Sequence, residues 1–423
     1  MPSQNGLTIA AEVRPEAIED LRQLLASMGD GVANGSVIDL GAPTAVHFAR
    51  FILVDAATDL RGAALPAWLV YMADVDVSKQ QHLVELVDKG GDGIDRLFGH
   101  CASYPTQPAT TEQRIDYLQA HVVKEQARYV NWVGRGERQI RDEATLRERL
   151  ETYLDEHAEL DGRDASEVAR ELRRIVETDE DLAWARAPAE GLPLDFRLRE
   201  LVHAVTMPLL VLLFLPFILL ALPIFVVLLR LHERSDPAPH VKPPPELTER
   251  LAALEDHLVQ NPFTAIGLVK PGLFRRITLM TVLVAIDYVT RHVFNRGDLA
   301  GVKTIHFARW VFLDGRRRMI FASNYDGSLE SYMDDFIDKI AWGLNIVFSN
   351  GYGFPRARYL ILDGAHDELA FKDYLRLHQV PTHVWHSAYG RLTALNITNN
   401  ARIRAGLQPD SGTAETERWL QAL

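Results

Sequence analysis

The sequence lacks most of the features that assign chemistry directly. Its 423 residues include one cysteine, Cys101, which excludes an intrachain disulfide and a cysteine-rich metal site. It has no glycine-rich phosphate loop, dinucleotide fingerprint, nucleophile elbow or HExxH pair, so nucleotide-dependent, triad and zincin chemistry are not expected. Lys and Arg number 45 against 57 Asp and Glu. Because no basic stripe offsets this acidic excess, we expect no nucleic-acid partner.

A targeting signal is also missing from the first residues. MPSQNGLTIAAE has no basic stretch followed by an apolar one, so no cleaved signal peptide is predicted. Together with the scarcity of cysteine, this favours a reducing, cytoplasmic setting for the folded parts. The hydrophobic content of 47% is that of a globular protein, and the length leaves room for two or three domains.

What the sequence contains instead is an internal repeat. The residues HFAR at 47–50 return at 306–309, each time in an apolar run that ends at an aspartate. Further matches keep the same order: 8–15 with 264–271, 87–89 with 337–339, 116–118 with 373–375, and 134–135 with 390–391. The offset stays between 250 (88 to 338) and 259 (47 to 306). A repeat of this length indicates duplicated domains rather than a solenoid.

Each copy has the periodicities of a β-α-β-β-α-β unit. The first copy is predicted to contain strands at 7–13, 46–55, 68–76 and 129–133, with helices from 15 and over 80–98. The second copy is predicted to contain strands at 263–269, 306–314, 319–325 and 383–388, with helices over 272–294 and 329–349. The last strand of each copy is expected to complete its own unit.

This order of elements is that of the ferredoxin-like unit. Two such units usually bury the open faces of their sheets against each other, so the predicted fold is α+β with two ferredoxin-like repeats in one chain. The chain resembles the dimeric α+β barrel superfamily, which includes antibiotic-biosynthesis-type monooxygenases, chlorite dismutases and dye-decolourising peroxidases. The resemblance covers roughly residues 7–150 and 260–410. It implies an intramolecular barrel and oxidative chemistry.

The segment between the repeats differs in composition. Residues 141–181 are rich in Glu, Asp and Arg with leucines at helical spacing, which predicts a solvated helical pair, with a partner-binding arm as the alternative. Residues 201–229 contain no Asp, Glu, Lys or Arg and exceed the ~20 residues that cross a bilayer. The predicted domains are 1–140, the first repeat; 141–200, a charged helical insert; 201–231, a hydrophobic membrane segment; 232–260, a Pro-rich linker and short helix; and 261–423, the second repeat.

The repeats constrain the path of the membrane segment. A single span would place them on opposite sides of the bilayer, where they could not pair. Pro208, Pro216 and Pro223 interrupt the segment, which suits a kinked or re-entrant hairpin. We therefore favour a monotopic hairpin over a single span, which stays the alternative, with the protein membrane-associated and both repeats on the cytoplasmic side.

Residues present in both copies are expected to be architectural, and residues peculiar to one copy functional. His47 and Arg50 lie three apart on a strand, as do His306 and Arg309, so each pair is predicted to point to opposite faces of its sheet. A buried arginine needs a carboxylate, a carbonyl or an anionic ligand. Structural pairing and an anion or oxygen-ligand site therefore both stay open for these positions.

The second copy carries a further motif. Residues 323–327 (SNYDG) resemble the Gly-x-x-Asp-Gly motif of dye-decolourising peroxidases, with Ser323 in place of the first glycine. The resemblance implies that Asp326 acts on peroxide above a haem, and helix capping is the alternative for this residue. His386 would be the axial metal ligand, or else a structural histidine.

Aromatic side chains also set the second copy apart. Of the second-copy residues Trp310, Tyr325 and Trp342, only Trp310 has an aromatic counterpart in the first copy, Phe51. They are predicted to line a pocket, together with Asn324 and His386, with ordinary packing as the alternative.

These observations predict a membrane-attached oxidoreductase that binds an apolar or lipid-derived small molecule in a pocket of the second repeat. His306 or Arg309 would fix an oxygen-bearing group and Asp326 would transfer a proton; the cofactor is unassigned, and haem is the one that the resemblance implies. The alternative is a non-catalytic, membrane-attached ligand-binding or scaffolding protein. The expected partners are the lipid bilayer, the apolar molecule and, through residues 141–181, another protein.

Overall fold

The alternating apolar residues of the two repeats form two four-stranded antiparallel sheets. The computed structural model describes residues 4–30, 37–189, 191–237, 239–256, 258–408 and 413–423, and they adopt an α+β fold. Its strands are β1 (Asn5–Glu12), β2 (Val46–Val54), β3 (Ala57–Thr58), β4 (Ala64–Leu65), β5 (Trp68–Val75), β6 (Glu125–Val130), β7 (Gln260–Leu268), β8 (Ile305–Leu313), β9 (Arg318–Asp326), β10 (Ala357–Arg358), β11 (Leu362–Asp363) and β12 (Val384–Ser387).

Helices cover the outer faces of the sheets and fill the connections. They are α1 (Ile18–Asp30), α2 (Lys79–Gly90), α3 (Asp92–Phe98), α4 (Thr111–Ala120), α5 (Glu137–Glu156), α6 (Ala165–Thr178), α7 (Leu194–Ser235), α8 (Pro245–Ala252), α9 (Leu273–His292), α10 (Leu329–Phe348), α11 (Glu368–His378), α12 (Ala394–Ala405) and α13 (Thr413–Leu420). Short 3-10 turns lie at Pro15–Ala17, Ala158–Leu160, Glu180–Arg186 and Gly364–His366. The predicted helix 80–98 is divided between α2 and α3, because Gly91 adopts a φ of 47° that ends the first segment.

The last strand of each half belongs to the sheet of the other half. The first sheet has the order β1-β5-β2-β12 and the second β6-β8-β9-β7. Thus β12, from the end of the chain, pairs with β2, and β6, from the first half, pairs with β8. The prediction that each last strand completes its own unit was therefore wrong. Either edge of a sheet offers the same unpaired backbone groups, so the local pattern of a strand does not select its partner.

The connections to these exchanged strands close the structure. The segment that leads into β6 passes beside β1. There, Val123 N–H donates to Thr8 O at 2.8 Å. The equivalent contact before β12 is Val380 N–H to Thr264 O, also at 2.8 Å. Each connection therefore begins on its own half and ends on the other. The two sheets are joined at both edges into a closed ring of strands.

The core has three layers. The inner faces of the sheets meet through aliphatic side chains that are almost fully buried, including Ile52, Val70, Val311 and Ile320. The outer face of the first sheet packs on α1 and α2, and that of the second packs on α9, α10 and α11. This part of the inner layer is therefore apolar, and polar groups that enter the layer need partners there.

The charged insert forms a separate helical layer. Leucines of α5 (Leu146 and Leu150) pack on α6, as predicted, and also on α12 and α13 from the end of the chain. Ile403 and Trp419 contribute to this contact. The apolar side of the insert is thus covered within the chain, and the predicted protein partner for residues 141–181 stays a prediction.

The apolar segment is part of one helix, α7, rather than a hairpin. The expectation of a hairpin was wrong, because the three prolines lie seven and eight residues apart inside a continuous helix. Each proline removes one backbone hydrogen bond, which bends a helix without reversing it. Within the described residues, α7 is the one helix long and apolar enough to cross a membrane, and none of its most apolar window is buried.

Both ends of α7 contact the body of the protein. Near its start, His203 Nδ1 lies 2.8 Å from His292 Nε2 at the end of α9. Near its end, the ring of His232 stacks on Phe274 at the start of α9, with centroids 4.8 Å apart. Helix α7 therefore runs antiparallel to α9 and is held at both ends by the same folded unit.

Candidate functional site

Two buried arginines cross between the sheets in equivalent ways. Arg50 of the first sheet donates to Phe263 O at 2.9 Å and to Ser323 O at 2.8 Å in the second. Arg309 of the second sheet donates to Leu7 O at 2.9 Å and to Ala73 O at 3.0 Å in the first. Each guanidinium thus supplies donors to backbone carbonyls of the opposite sheet.

The charges around these arginines are not equivalent. Arg309 forms salt bridges with Asp74 and, at 2.8 Å, with Glu125. The position equivalent to Asp74 is Asn324, whose Oδ1 accepts from Arg50. Although burial opposes the charge of Arg309, the two carboxylates raise its pKa. Burial and the neighbouring Arg309 lower the pKa of Arg50 to about 9, so Arg50 is a buried cation without a directly bonded carboxylate among the described residues.

The histidines of the repeat also point into the space between the sheets. The ring of His47 contacts Phe307 of the opposite sheet, with centroids 5.2 Å apart, and His306 contacts Phe48 at 5.4 Å. The predicted opposite orientation of histidine and arginine was wrong. The register shifts after Val46 in β2 and after Ile305 in β8, and a bulge of this kind breaks the alternation of faces.

Each histidine binds the aspartate at the end of the neighbouring strand. His306 Nε2 lies 2.7 Å from Asp326 Oδ1, and His47 Nε2 lies 2.9 Å from Asp76 Oδ1. The other oxygen of Asp326 accepts from Ala394 N–H at 2.8 Å, in the first turn of α12. Asp326 is therefore both a histidine partner and a helix cap, but for α12 rather than for the helix that follows it.

The predicted site residues do not converge on one pocket. Of the predicted catalytic residues, His306 and Asp326 are in contact, and Arg309 belongs to the arginine network described above. Trp310 and Tyr325 lie on the opposite face of the sheet, in the core beneath the helices.

The remaining predicted positions are also separate. Asn324 accepts hydrogen bonds from Arg50 and, at 3.0 Å, from Trp385 Nε1. Trp342 is 49% exposed on the outer side of α10. His386 lies on β12, opposite Ala49 in the first sheet. The second-repeat pocket predicted from these aromatic residues is thus not formed by them together.

The surroundings of His386 and Asp326 do not fit a haem. A methyl group added at Gly41 would lie 2.7 Å from the His386 ring, so the loop at Gly41 already fills that side. Both oxygens of Asp326 have protein partners. The cavity between Arg50 and Arg309 measures only about 10 Å³. No catalytic step through a haem follows from these residues, and the cofactor stays a prediction.

The main open space is elsewhere, between the ring of strands and the start of α7. A cleft of about 1130 Å³ is bounded by the start of β1, by β6, by the end of α9 and by the first turns of α7. Among the described residues, its lining includes seven Lys or Arg side chains and three carboxylates. The walls therefore carry an excess of positive charge in a protein whose net charge is −12.

The cleft is connected to the buried arginine network. Glu125 and Arg128 line it, while Glu125 binds Arg309 and Arg128 binds Asp74 at 2.9 Å. At the mouth, partial burial lowers the pKa of Lys79, with Glu125 opposing this effect. Charges of alternating sign thus lead from the open cleft to the centre of the ring.

This polar path exists in one half only. In the other half Leu329 follows the serine cap at the position of Lys79, and Trp385 occupies the position of Arg128. The sequence contained a signal for this difference, since the charged residues at 74 and 79 correspond to Asn324 and Leu329 at the local offset of 250. The prediction looked for divergence in the second repeat and missed it in the first.

Comparison of the chain with protein-family models, with curated proteins and with solved structures finds no match in any of the three.

Proposed function

We propose that the chain is an intramolecular pseudo-dimer of two ferredoxin-like repeats, of the dimeric α+β barrel type, attached to one face of a bilayer through α7. In this proposal it acts as a non-catalytic ligand-binding protein. The exchange of β6 and β12 between the sheets is the observation that supports attachment to one face of the bilayer. Strands that precede α7 and strands that follow it are hydrogen bonded in the same sheets. A helix that crossed the bilayer once would place those strands on opposite sides of the membrane, where they could not pair.

The fold proposal is supported by the equivalence of the two halves. Both have the same order of long strands, the same helices between them, the same exchanged last strand and the same bulge before the arginine. Arg50 and Arg309 also contact equivalent backbone positions across the sheets. A duplication followed by fusion accounts for these coincidences more simply than independent origin.

The attachment proposal is supported by the surface of α7 and α9. Side chains between 208 and 224 are exposed on all sides of α7 and apolar, which water would solvate poorly. Cations flank both ends of this apolar surface: the large cleft lies at one end, and at the other a cleft of about 110 Å³ is lined by Arg61, Lys270, Arg276 and Arg316 among others. A helix that is apolar on every side and cationic at both ends suits burial in the hydrocarbon of one leaflet, with its ends at the level of the headgroups.

The ligand-binding proposal is supported by what fills the ring. The centre between the sheets is packed, and its charged groups are engaged by protein partners. The 1130 Å³ cleft is, by contrast, open and large enough for a small molecule. We therefore place the function in the cleft beside α7 rather than at the predicted catalytic residues.

Cysteine labelling tests the topology. Cys101 is only 1% exposed, so its thiol gives little background. We would introduce Glu112→Cys before α7 and Asp338→Cys after it, both at exposed positions, and label them with an impermeant maleimide in intact cells and in inverted membrane vesicles.

We expect both cysteines to react in inverted vesicles and neither in intact cells. Reaction of the two cysteines from opposite sides would overturn attachment to one face. Reaction of both from outside the cell would keep one-face attachment but overturn the cytoplasmic side.

Oxidoreductase chemistry is a second candidate because the His306–Asp326 contact of 2.7 Å has the geometry of an acid–base pair. An absorption spectrum of the detergent-purified chain, from cells supplied with haem precursor, tests it. A Soret band that disappears in His386→Ala would revive the haem hypothesis. A flat visible spectrum would leave only cofactor-free chemistry for this candidate.

A further inference from the structure

The walls of the large cleft combine two kinds of surface. One wall is cationic and includes Lys124, just before β6, and Arg296, just after α9. The other wall comes from the first turns of α7 and adds apolar side chains (Leu194, Phe196, Leu198 and Leu201) beside its charged ones. A ligand that satisfies both walls must carry negative charge at one end and hydrocarbon at the other.

Several of the cations are available for a ligand. Among the described residues, Lys79, Lys124, Arg197 and Arg296 form no salt bridge, whereas Arg291 is already paired with Glu200 and Asp287 on the cleft wall. Burial lowers the pKa of Lys79, and repulsion from the neighbouring Arg128 and Arg309 adds to this effect against the attraction of Glu125. An anion placed among them removes this repulsion and gains charge-assisted hydrogen bonds.

The apolar wall leads directly into the membrane surface proposed above. Leu201 lines the cleft and is also the first residue of the stretch 201–229 that lacks charged side chains. Hydrocarbon that leaves the cleft along α7 therefore stays in contact with apolar side chains. A soluble anion such as phosphate would use only the cationic wall.

We infer that this cleft binds an anionic phospholipid, with its phosphate beside Lys79 and Lys124 and its acyl chains along α7. The inference rests on the proposed membrane attachment and adds the ligand class to it. The equivalent position in the other half lacks the cations, with Leu329 and Trp385 in place of Lys79 and Arg128. One lipid site per chain is therefore expected.

The test compares two variants of equal charge. The first replaces the cleft cations (Lys79→Gln, Lys124→Gln and Arg296→Gln), and the control replaces three cations outside the cleft (Lys89→Gln, Arg96→Gln and Arg138→Gln). Full-length protein in neutral detergent is titrated with dioleoyl phosphatidylglycerol or dioleoyl phosphatidylcholine, and bound lipid is counted by native mass spectrometry. Flotation with liposomes of the same lipids is measured in parallel.

We expect one phosphatidylglycerol per wild-type chain, little phosphatidylcholine, and roughly tenfold or greater weakening in the cleft variant but not in the control. Equal weakening in both variants would overturn the cleft site, because it would indicate general surface charge. Displacement of the lipid by inorganic phosphate at similar concentration would overturn the choice of a lipid.

Two further readouts separate the possible failures. If neither the wild type nor the variants float with liposomes, the proposed attachment fails. If all of them float but the wild type shows no preference for phosphatidylglycerol, only the lipid site fails. Trp132 lines the cleft, so phosphatidylglycerol with brominated chains should quench its fluorescence in the wild type. Quenching that is unchanged in Trp132→Phe would contradict the site without relying on the triple variant.

Discussion

Asp74 binds the half-buried Arg128 and the buried Arg309. Replacing Asp74 therefore tests how much this ion-pair network stabilises the fold. Its Oδ1 accepts from Arg128 at 2.9 Å and also contacts Arg309. Asp74 is 3% exposed, and the variant Asp74→Asn keeps its size while removing its charge. The two arginines would then remain buried with one carboxylate, Glu125, between them.

The size of the effect follows from this remaining partner. Removing one member of a buried ion pair costs about 3–5 kcal/mol, because the other charge is left uncompensated. Since Glu125 still lies 2.8 Å from Arg309, we expect the lower end of that range. A loss of about 3 kcal/mol changes the ratio of folded to unfolded protein roughly 150-fold.

The assay is urea unfolding of wild type and variant in neutral detergent at several pH values. Burial raises the pKa of Asp74, but Arg309 and Arg128 outweigh it and hold the pKa below its usual value. The stabilisation by this carboxylate is therefore present above its unfolded pKa of about 3.9 and is lost as the pH falls through the lower folded pKa. The difference between wild type and variant should shrink below about pH 4.

The equivalent position supplies the matched control. Asn324→Asp places a carboxylate beside Arg50, whose charge is already buried, so we expect stabilisation of about 1–2 kcal/mol. A loss below about 1 kcal/mol in Asp74→Asn, within the range of an ordinary neutral hydrogen bond, would refute the account of this network as a buried ion-pair cluster.

Three further predictions use buried titratable groups. Burial lowers the pKa of His82 to about 4, so the unfolded state binds a proton first as the pH falls. From pH 7 to pH 4 the wild type should therefore lose about 3 kcal/mol more than His82→Leu, as measured by urea unfolding. Burial raises the pKa of the Cys101 thiol to about 12, so iodoacetamide should modify it in urea but not in the folded protein, as read by mass spectrometry. Tyr389→Phe removes the 2.8 Å hydrogen bond to His47 Nδ1 and should cost about 1–2 kcal/mol in thermal unfolding; an unchanged midpoint would contradict it.

Much of the element order could be predicted because it depends on local periodicity. The strand around His306 and the helix from Leu329 were placed within about two residues, since alternation and helical spacing are properties of neighbouring residues. The exchanged strands could not be predicted in this way. A strand such as β12 has the same pattern whichever sheet edge it joins.

The candidate site was less predictable than the fold. Arg309 was recognised as a residue that needs a partner, but Asp74 and Glu125, which provide it, lie more than 180 residues away in the chain (309 − 125 = 184). The large cleft likewise depends on α7, β6 and α9 meeting. The cations of such a cleft are scattered through the sequence, so no motif marks them.

The amino-acid sequence alone indicated an internal repeat, alternating strands and helices in each copy, and one long apolar segment between the copies. It did so because composition and periodicity are written along the chain. Only the tertiary structure decided that the copies exchange their last strands, that bulges turn His47 and His306 inward, and that α7 is held at both ends by α9. Those outcomes depend on hydrogen bonds and packing between segments that lie far apart in the sequence. The free energy of such contacts depends on both surfaces that meet, so the pattern of one segment alone does not predict them.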